Sequence, residues 1–231
     1  DAAVQRAAAA QKQPLLDTLK EFVSIETGSR DIEGLTQASE LLARKLRALG
    51  GDVSFVETAE ATTYRMGDTP EKIGRMTKAV FKGTGSKRIL LIAHMDTVYL
   101  KGMLAKQPFR IEGDRAYGLG IADDKQGVAM IVHLIALLRD VKFNEYGTLT
   151  VLVNSDEEIS SPGSRAALTE EGARHDAVLS FEATRTNEDK LSLATSGIAA
   201  VYLKVEGRAS HAGGAPERGI NALYELSNQI L

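Results

Sequence analysis

Apolar runs that end in a histidine or in carboxylates constrain this chain more than any other feature. Residues 89–93 predict a buried strand, and His94 and Asp96 stand at its end. Side chains at i and i+2 of a strand point the same way. The Asp96 carboxylate can therefore sit beside the imidazole, hold one ring nitrogen and make the other a better metal ligand. A single His-x-Asp is also what an ordinary polar strand end looks like, so the reading depends on the other strand ends of the chain.

Three more acidic constellations occur. In YGLGIADDKQG, residues 117–127, two glycines and Asp123-Asp124 lead into a predicted helix over 125–139. Val128, Met130, Ile131, Leu134, Ile135 and Leu138 fall on its apolar positions. Adjacent carboxylates repel an anion and no Gly-Lys-Ser/Thr comes after them, which argues against a phosphate loop. In such a pair one aspartate caps the helix while the other faces a metal. In TLTVLVNSDEE, residues 148–158, a β-rich strand ends in Asp156, Glu157 and Glu158. Neighbouring carboxylates raise one another's pKa unless a cation balances them. A divalent cation does so and divides the labour: one glutamate binds the metal and its neighbour takes a proton from water. Finally AVLSFE, residues 177–182, is an apolar strand ending in Glu182. His94, Asp123, Glu158 and Glu182 are thus candidate ligands at strand ends, where sites collect in open α/β sheets. Mixed imidazole and carboxylate donors suit zinc, with manganese or cobalt as alternatives.

These segments resemble the co-catalytic di-zinc peptidases of the aminoacylase and succinyl-diaminopimelate desuccinylase type, most of all their bacterial glutamate carboxypeptidase branch. The resemblance runs from about residue 15 to the last residue. It is carried by HMDTVYLKG at 94–102, YGLGIADDK at 117–125, NSDEE at 154–158, LSFEAT at 179–184, KLSLATSG at 190–197 and GRASHAG at 207–213. It implies two zinc ions per full-length subunit. His94 and Glu182 would hold one, Glu158 the other, and Asp123 would bridge them. Glu157 would be the general base and Asp96 would orient His94. His211 would reach the partner subunit of a homodimer and stabilise the tetrahedral intermediate, and Lys190 would recognise the glutamate side of the substrate. The implied reaction is hydrolysis of a peptide or N-acyl (folate-like) conjugate with release of a C-terminal amino acid, glutamate above all. Another deacylase or dipeptidase of the same family is the alternative, and a non-catalytic dimerisation module is a second one.

The resemblance also implies a terminal histidine for the second zinc and a substrate-binding arginine, both from a later segment. The four histidines are His94, His133, His175 and His211. His133 lies in an apolar helix and His175 before a strand, so both read as structural. The chain is accordingly expected to be part of a longer enzyme, inactive alone.

The order of elements predicts α/β architecture, a mixed sheet covered by helices on both faces. Helices are expected at 14–25 and 35–49, the second ended by Gly50-Gly51, and at 164–170. Strands are expected at 53–56, 79–82, 89–93, 148–153 and 177–182, with a polar excursion at 59–72. After Gly197 the pattern changes to a long strand at 198–206 and a helix at 216–231 with Pro216 near its start. The expected division is a catalytic domain over 1–196 and the beginning of a small α+β lid or dimerisation domain over 197–231. A net charge of −3 gives no basic surface for nucleic acid, and no apolar run has the length of a membrane span. The absence of cysteine excludes disulfides and thiolate zinc sites. The first 14 residues, Ala-rich and polar, lack the apolar core of a signal peptide. They are compatible with a mature start after cleavage, and the resemblance implies a periplasmic or secreted protein, with the cytoplasm as the alternative.

Overall fold

A computed structural model describes residues 1–183, 191–194, 196–199 and 201–230. Two compact units emerge, Asp1–Leu191 and Ser192–Leu231. The first runs α1 (Ala2–Val23), α2 (Ile32–Ala48), β1 (Asp52–Val56), β2 (Met76–Lys82), β3 (Arg88–His94), β4 (Arg110–Glu112), β5 (Arg115–Tyr117), α3 (Gln126–Asp140), β6 (Thr148–Asn154), α4 (Arg165–Ala173) and β7 (Ala177–Ser180).

Five strands form one mixed sheet in the order β1-β2-β6-β3-β7. The β1–β2 and β2–β6 pairs are antiparallel, whereas β3 is parallel to both β6 and β7. His94 pairs in register with Asn154, and Ile92 with Ser180. The three parallel strands therefore release their chains at the same edge, which brings His94, the Asn154–Glu158 turn and Glu182 into one neighbourhood.

Period-two alternation splits the strand side chains between two cores. Leu91, Ala93, Val151 and Val153 face Phe22, Leu42, Val128 and Ile131 of α1, α2 and α3. Leu90 and Leu152 face the other way, against Ala167 and Leu168 of α4. Helices thus cover both faces of the sheet, as expected. Leu91 is 1% exposed. Leu91→Ala is expected to cost about 2–5 kcal/mol, read as a lower urea midpoint; a cost under about 1 kcal/mol would contradict this packing.

Several boundaries differ from the sequence expectation. α1 begins at Ala2 rather than at 14, because alanine is the best helix former and the Asp1 carboxylate accepts the Ala3 N–H at 2.7 Å. The added turns dock: Gln11 Oε1 lies 2.7 Å from Nδ1 of His133, whose Nε2 meets the Thr18 hydroxyl at 2.9 Å. The β4–β5 hairpin has no counterpart in the sequence expectation, since three-residue strands carry no periodicity. β7 stops at Ser180, so Glu182 comes after the strand rather than ending it.

In the second unit the expected strand at 198–206 is absent among the described residues. Its apolar side chains stand in solvent, with Ile198 at 99% and Val201 at 81% exposure. A strand needs a neighbour for its backbone groups, and the described pairing in this unit is a single bridge between Arg208 and Ile220. The expected helix at 216–231 divides into a short 3-10 turn, Pro216–Arg218, and α5 (Ala222–Ile230). Asn221 caps α5, its Oδ1 accepting the N–H groups of Leu223 and Tyr224 at 3.0 and 3.1 Å. No helix among the described residues is long and apolar enough to cross a membrane.

Candidate metal centre

The centre begins at the end of β3. His94 is buried, and its Nδ1 lies 3.1 Å from the carbonyl oxygen of Asp96 and 3.3 Å from that residue's Oδ1. Both groups are acceptors, so Nδ1 carries a proton and the other nitrogen, Nε2, faces the cluster. Around Nε2 stand Asp123 Oδ1 at 3.0 Å, Glu182 Oε1 at 3.5 Å and Glu157 Oε2 at 3.9 Å.

Asp96 does more than orient His94. Its carboxylate is fully buried. Oδ1 accepts the Glu157 N–H at 3.0 Å, and Oδ2 accepts the Glu158 N–H at 3.1 Å and the Ser29 hydroxyl at 2.8 Å. One side chain therefore fixes both the imidazole and the backbone of the two glutamates.

Of the acid pair after Gly120, one carboxylate caps a helix and both stand near His94. Asp124 is buried; its Oδ1 accepts the Gly127 N–H at 3.2 Å in the first turn of α3, and its Oδ2 accepts the His94 N–H at 3.3 Å. Asp123, with a side chain 62% exposed, points to Nε2 of His94. A side chain at Gly127 would sit 2.1 Å from the Phe181 carbonyl and 2.3 Å from Asp124 Oδ1. Glycine thus lets α3 start against the segment that carries Glu182. Lys125 is buried behind the pair and donates its Nζ proton to the Ile25 carbonyl at 2.6 Å.

The three acids after β6 also separate. Asp156 turns inward, its Oδ2 accepting the N–H groups of Gly163 and Ser164 at 2.7 and 3.0 Å. Glu157 and Glu158 turn toward the cluster. Two sets of potential ligand atoms result, each with all atoms within 4.8 Å of one another: His94, Asp124 and Glu182, and His94, Asp123 and Glu158. The structure thus brings His94, Asp96, Asp123, Glu157, Glu158 and Glu182 together. It adds Asp124, which the sequence marks only as a helix cap, and Ser29, which no motif marks. His133 and His175 lie elsewhere in hydrogen bonds of their own. His211 belongs to the second unit, where its Nδ1 accepts the N–H groups of Gly213 and Gly214 at 3.2 and 2.9 Å. Lys190 falls outside the described residues.

The electrostatics of the cluster fit a cation. Burial opposes a charge on His94, but its contact with Asp96 and the charges of Asp96, Glu182 and Asp124 prevail and push its pKa up to about 10. Burial, then the charge of Glu182, pushes Asp124 up to about 8. Burial, then Asp123, pushes Glu158 up to about 7. Glu157 and Glu182 are raised too, by burial first. All of these groups hold protons more tightly folded than unfolded. Without metal, their contribution to stability is complete below their ordinary pKa values. It is lost as pH rises through about 7 for Glu158, about 8 for Asp124 and about 10 for His94. A metal replaces those protons. Uptake of a metal ion by His94 near neutral pH is expected to release the proton from its Nε2, so the apparent affinity for that ion rises about tenfold per pH unit. Calorimetric titration in buffers of different ionisation enthalpy measures this; a pH-independent affinity without proton release would contradict it.

The chain has relatives among known proteins. Residues 90–217 match the family described as Peptidase family M20/M25/M40. Carboxypeptidase G2 of Pseudomonas sp. (strain RS-16) is 49% identical over 225 residues, covering 97% of this chain and 52% of that protein. An acetylornithine deacetylase of Photorhabdus laumondii subsp. laumondii is 26% identical over 221 residues, covering 94% of this chain and 54% of that protein. The chain spans about half the length of these curated relatives. Among solved structures, a tripeptidase from Staphylococcus aureus subsp. aureus superimposes with a TM-score of 0.61 at 20% identity, covering 94% of this chain and 55% of that one. That likeness speaks to the fold.

Proposed function

The chain belongs to peptidase family M20/M25/M40, and from that premise we propose that it forms the metal-binding part of a zinc-dependent carboxypeptidase or amidohydrolase. The substrate proposed is a peptide or N-acyl amino acid, folate-like conjugates included, from which a C-terminal glutamate is released. The observation that carries the reading is the set of imidazole and carboxylate donors gathered around Nε2 of His94. The 49% identity to a carboxypeptidase supports the reaction class.

His94, Asp123, Glu158 and Glu182 would hold two zinc ions, with Asp123 shared and Asp124 close behind. Bound there, zinc supplies Lewis acidity that acidifies water and polarises the scissile carbonyl. Glu157 then acts as the base. Its carboxylate is half-exposed at the cluster, and burial together with the charges of Glu182, Asp96 and Asp123 raises its proton affinity. It takes the proton as the water oxygen adds to the amide carbon. It returns that proton to the nitrogen as the C–N bond breaks. A cavity of about 640 Å³ lies beside Glu158, walled by Thr97, Tyr99, Leu100 and Ile159, and gives room for a substrate. His211 is proposed as the donor to the developing oxyanion in the active site of the partner subunit. Its Nδ1 accepts two backbone N–H groups, which leaves Nε2 as the ring nitrogen able to donate. The same reading takes residues 197–231 as the beginning of a lid and dimerisation domain, Lys190 as a contact to the glutamate, and a homodimer exported to the periplasm or beyond.

The test is release of the C-terminal residue from a glutamyl amide and from N-acetyl amino acids, by the protein carrying this sequence, with zinc and after chelation. Zinc-dependent glutamate release is expected. Faster cleavage of the N-acetyl amino acids would make it a deacylase instead. Rates unaffected by chelation would remove the metal from the reaction.

A further inference from the structure

The metal cluster rests on a buried hydroxyl outside every motif of the chain. Thr27–Ser29 comes shortly after α1 and runs beside Thr97. The Thr97 N–H donates to the Thr27 carbonyl at 2.8 Å, the Ser29 N–H to the Thr97 carbonyl at 3.3 Å, and Gly28 pairs with Thr97 as an isolated parallel bridge. The approach requires glycine at 28, where a Cβ would lie 2.4 Å from the Tyr99 carbonyl oxygen. It delivers the Ser29 side chain, 7% exposed, to Asp96 Oδ2 at 2.8 Å.

The acceptor positions of Asp96 are then fully used. Oδ1 serves Glu157 N–H and faces His94 Nδ1; Oδ2 serves Glu158 N–H and the Ser29 hydroxyl. Ser29 is the one of these donors that neither binds nor adjoins a proposed ligand or base. Without it Oδ2 keeps only the Glu158 N–H and the carboxylate is free to swing toward that turn. Any swing is transmitted to the imidazole on one side and to both glutamates on the other.

We propose that Ser29 is a positioning residue of the metal centre, its hydroxyl locking the Asp96 carboxylate in the orientation that holds His94 and the Glu157–Glu158 turn together. The inference rests on the metal-centre reading above. Outer residues of this kind are typically worth about 10- to 100-fold in metal affinity.

The experiment measures zinc affinity by competition with a chromogenic chelator, well below the melting temperature, on the protein and three variants. Ser29→Ala removes the hydroxyl. Ser29→Cys keeps the side chain but offers only a weak donor, and serves if the alanine variant fails to fold. Ser39→Ala is the control: Ser39 is also buried, but its hydroxyl donates to the Thr36 carbonyl and accepts from Arg75, within the packing of α2. Both Ser29 variants are expected to weaken zinc binding by about tenfold or more, alanine the more, while Ser39→Ala lowers Tm and leaves zinc affinity unchanged. Parent affinity in the folded Ser29 variants would overturn the inference alone, as would an equal loss in Ser39→Ala. A parent protein that takes up no zinc would overturn the metal-centre reading and this inference with it.

Discussion

Glutamine in place of Glu157, the proposed base, is expected to lower hydrolysis by about 100- to 10,000-fold while zinc content stays that of the parent. Two features separate this residue from its neighbour. The Glu157 carboxylate belongs to neither set of mutually close ligand atoms, whereas Glu158 belongs to the set with His94 and Asp123. Yet Glu157 Oε2 lies 3.9 Å from Nε2 of His94, within reach of a water held at the cluster. The amide of glutamine preserves shape and the backbone bond to Asp96 but cannot accept the proton. Glu158→Gln is expected to lose zinc as well as rate. Measuring zinc content and turnover on both variants separates the roles; a fast Glu157→Gln variant alongside a zinc-replete Glu158→Gln variant would reverse the assignment.

Asp123→Ala is the second large effect, and it falls on metal rather than on the fold. The Asp123 side chain is 62% exposed, and when it is removed the Nε2 of His94 that it meets still has Glu182 Oε1 at 3.5 Å. As the proposed shared ligand, its loss is expected to cost metal affinity more than the roughly 100-fold upper range of an outer residue, with a smaller drop in Tm of the metal-free protein than Asp124→Ala gives. Asp124→Ala behaves differently. That carboxylate caps α3 and holds the His94 N–H, so its removal destabilises the metal-free protein by about 1–3 kcal/mol. Zinc retained at parent affinity in Asp123→Ala would transfer the ligand role to Asp124, which already stands with His94 and Glu182.

The parts of this centre that lie within a few residues of a strand end are legible in the sequence. β3 and β6 are apolar runs, as buried central strands read, and β7 is a shorter run at the sheet edge; the reactive groups stand at or just after the end of each run. The pairings that organise the centre are not legible. The donors to Asp96 come from Ser29, Glu157 and Glu158, 61 to 67 positions away, and TGSR around Ser29 has no periodic or motif signal. The division of Asp156 from Glu157 and Glu158 depends on the N–H groups of Gly163 and Ser164, which only the folded turn presents. Residues 198–206 carry β-favouring side chains, but propensity in strands is a response to neighbours, and the described residues of that unit supply none over this stretch. Asn221 shows the converse, a cap signal present in the sequence but masked by the more conspicuous Pro216.

The central claim is that the ends of β3, β6 and β7, with Asp123, form one zinc centre. Anomalous diffraction recorded on both sides of the zinc absorption edge, from crystals grown with zinc, tests it most directly. The account predicts anomalous density within about 2.0–2.2 Å of Nε2 of His94 and of carboxylate oxygens from Asp123, Glu158 or Glu182. Density confined to surface residues, with the His94 ring still hydrogen-bonded to Asp123, would contradict it.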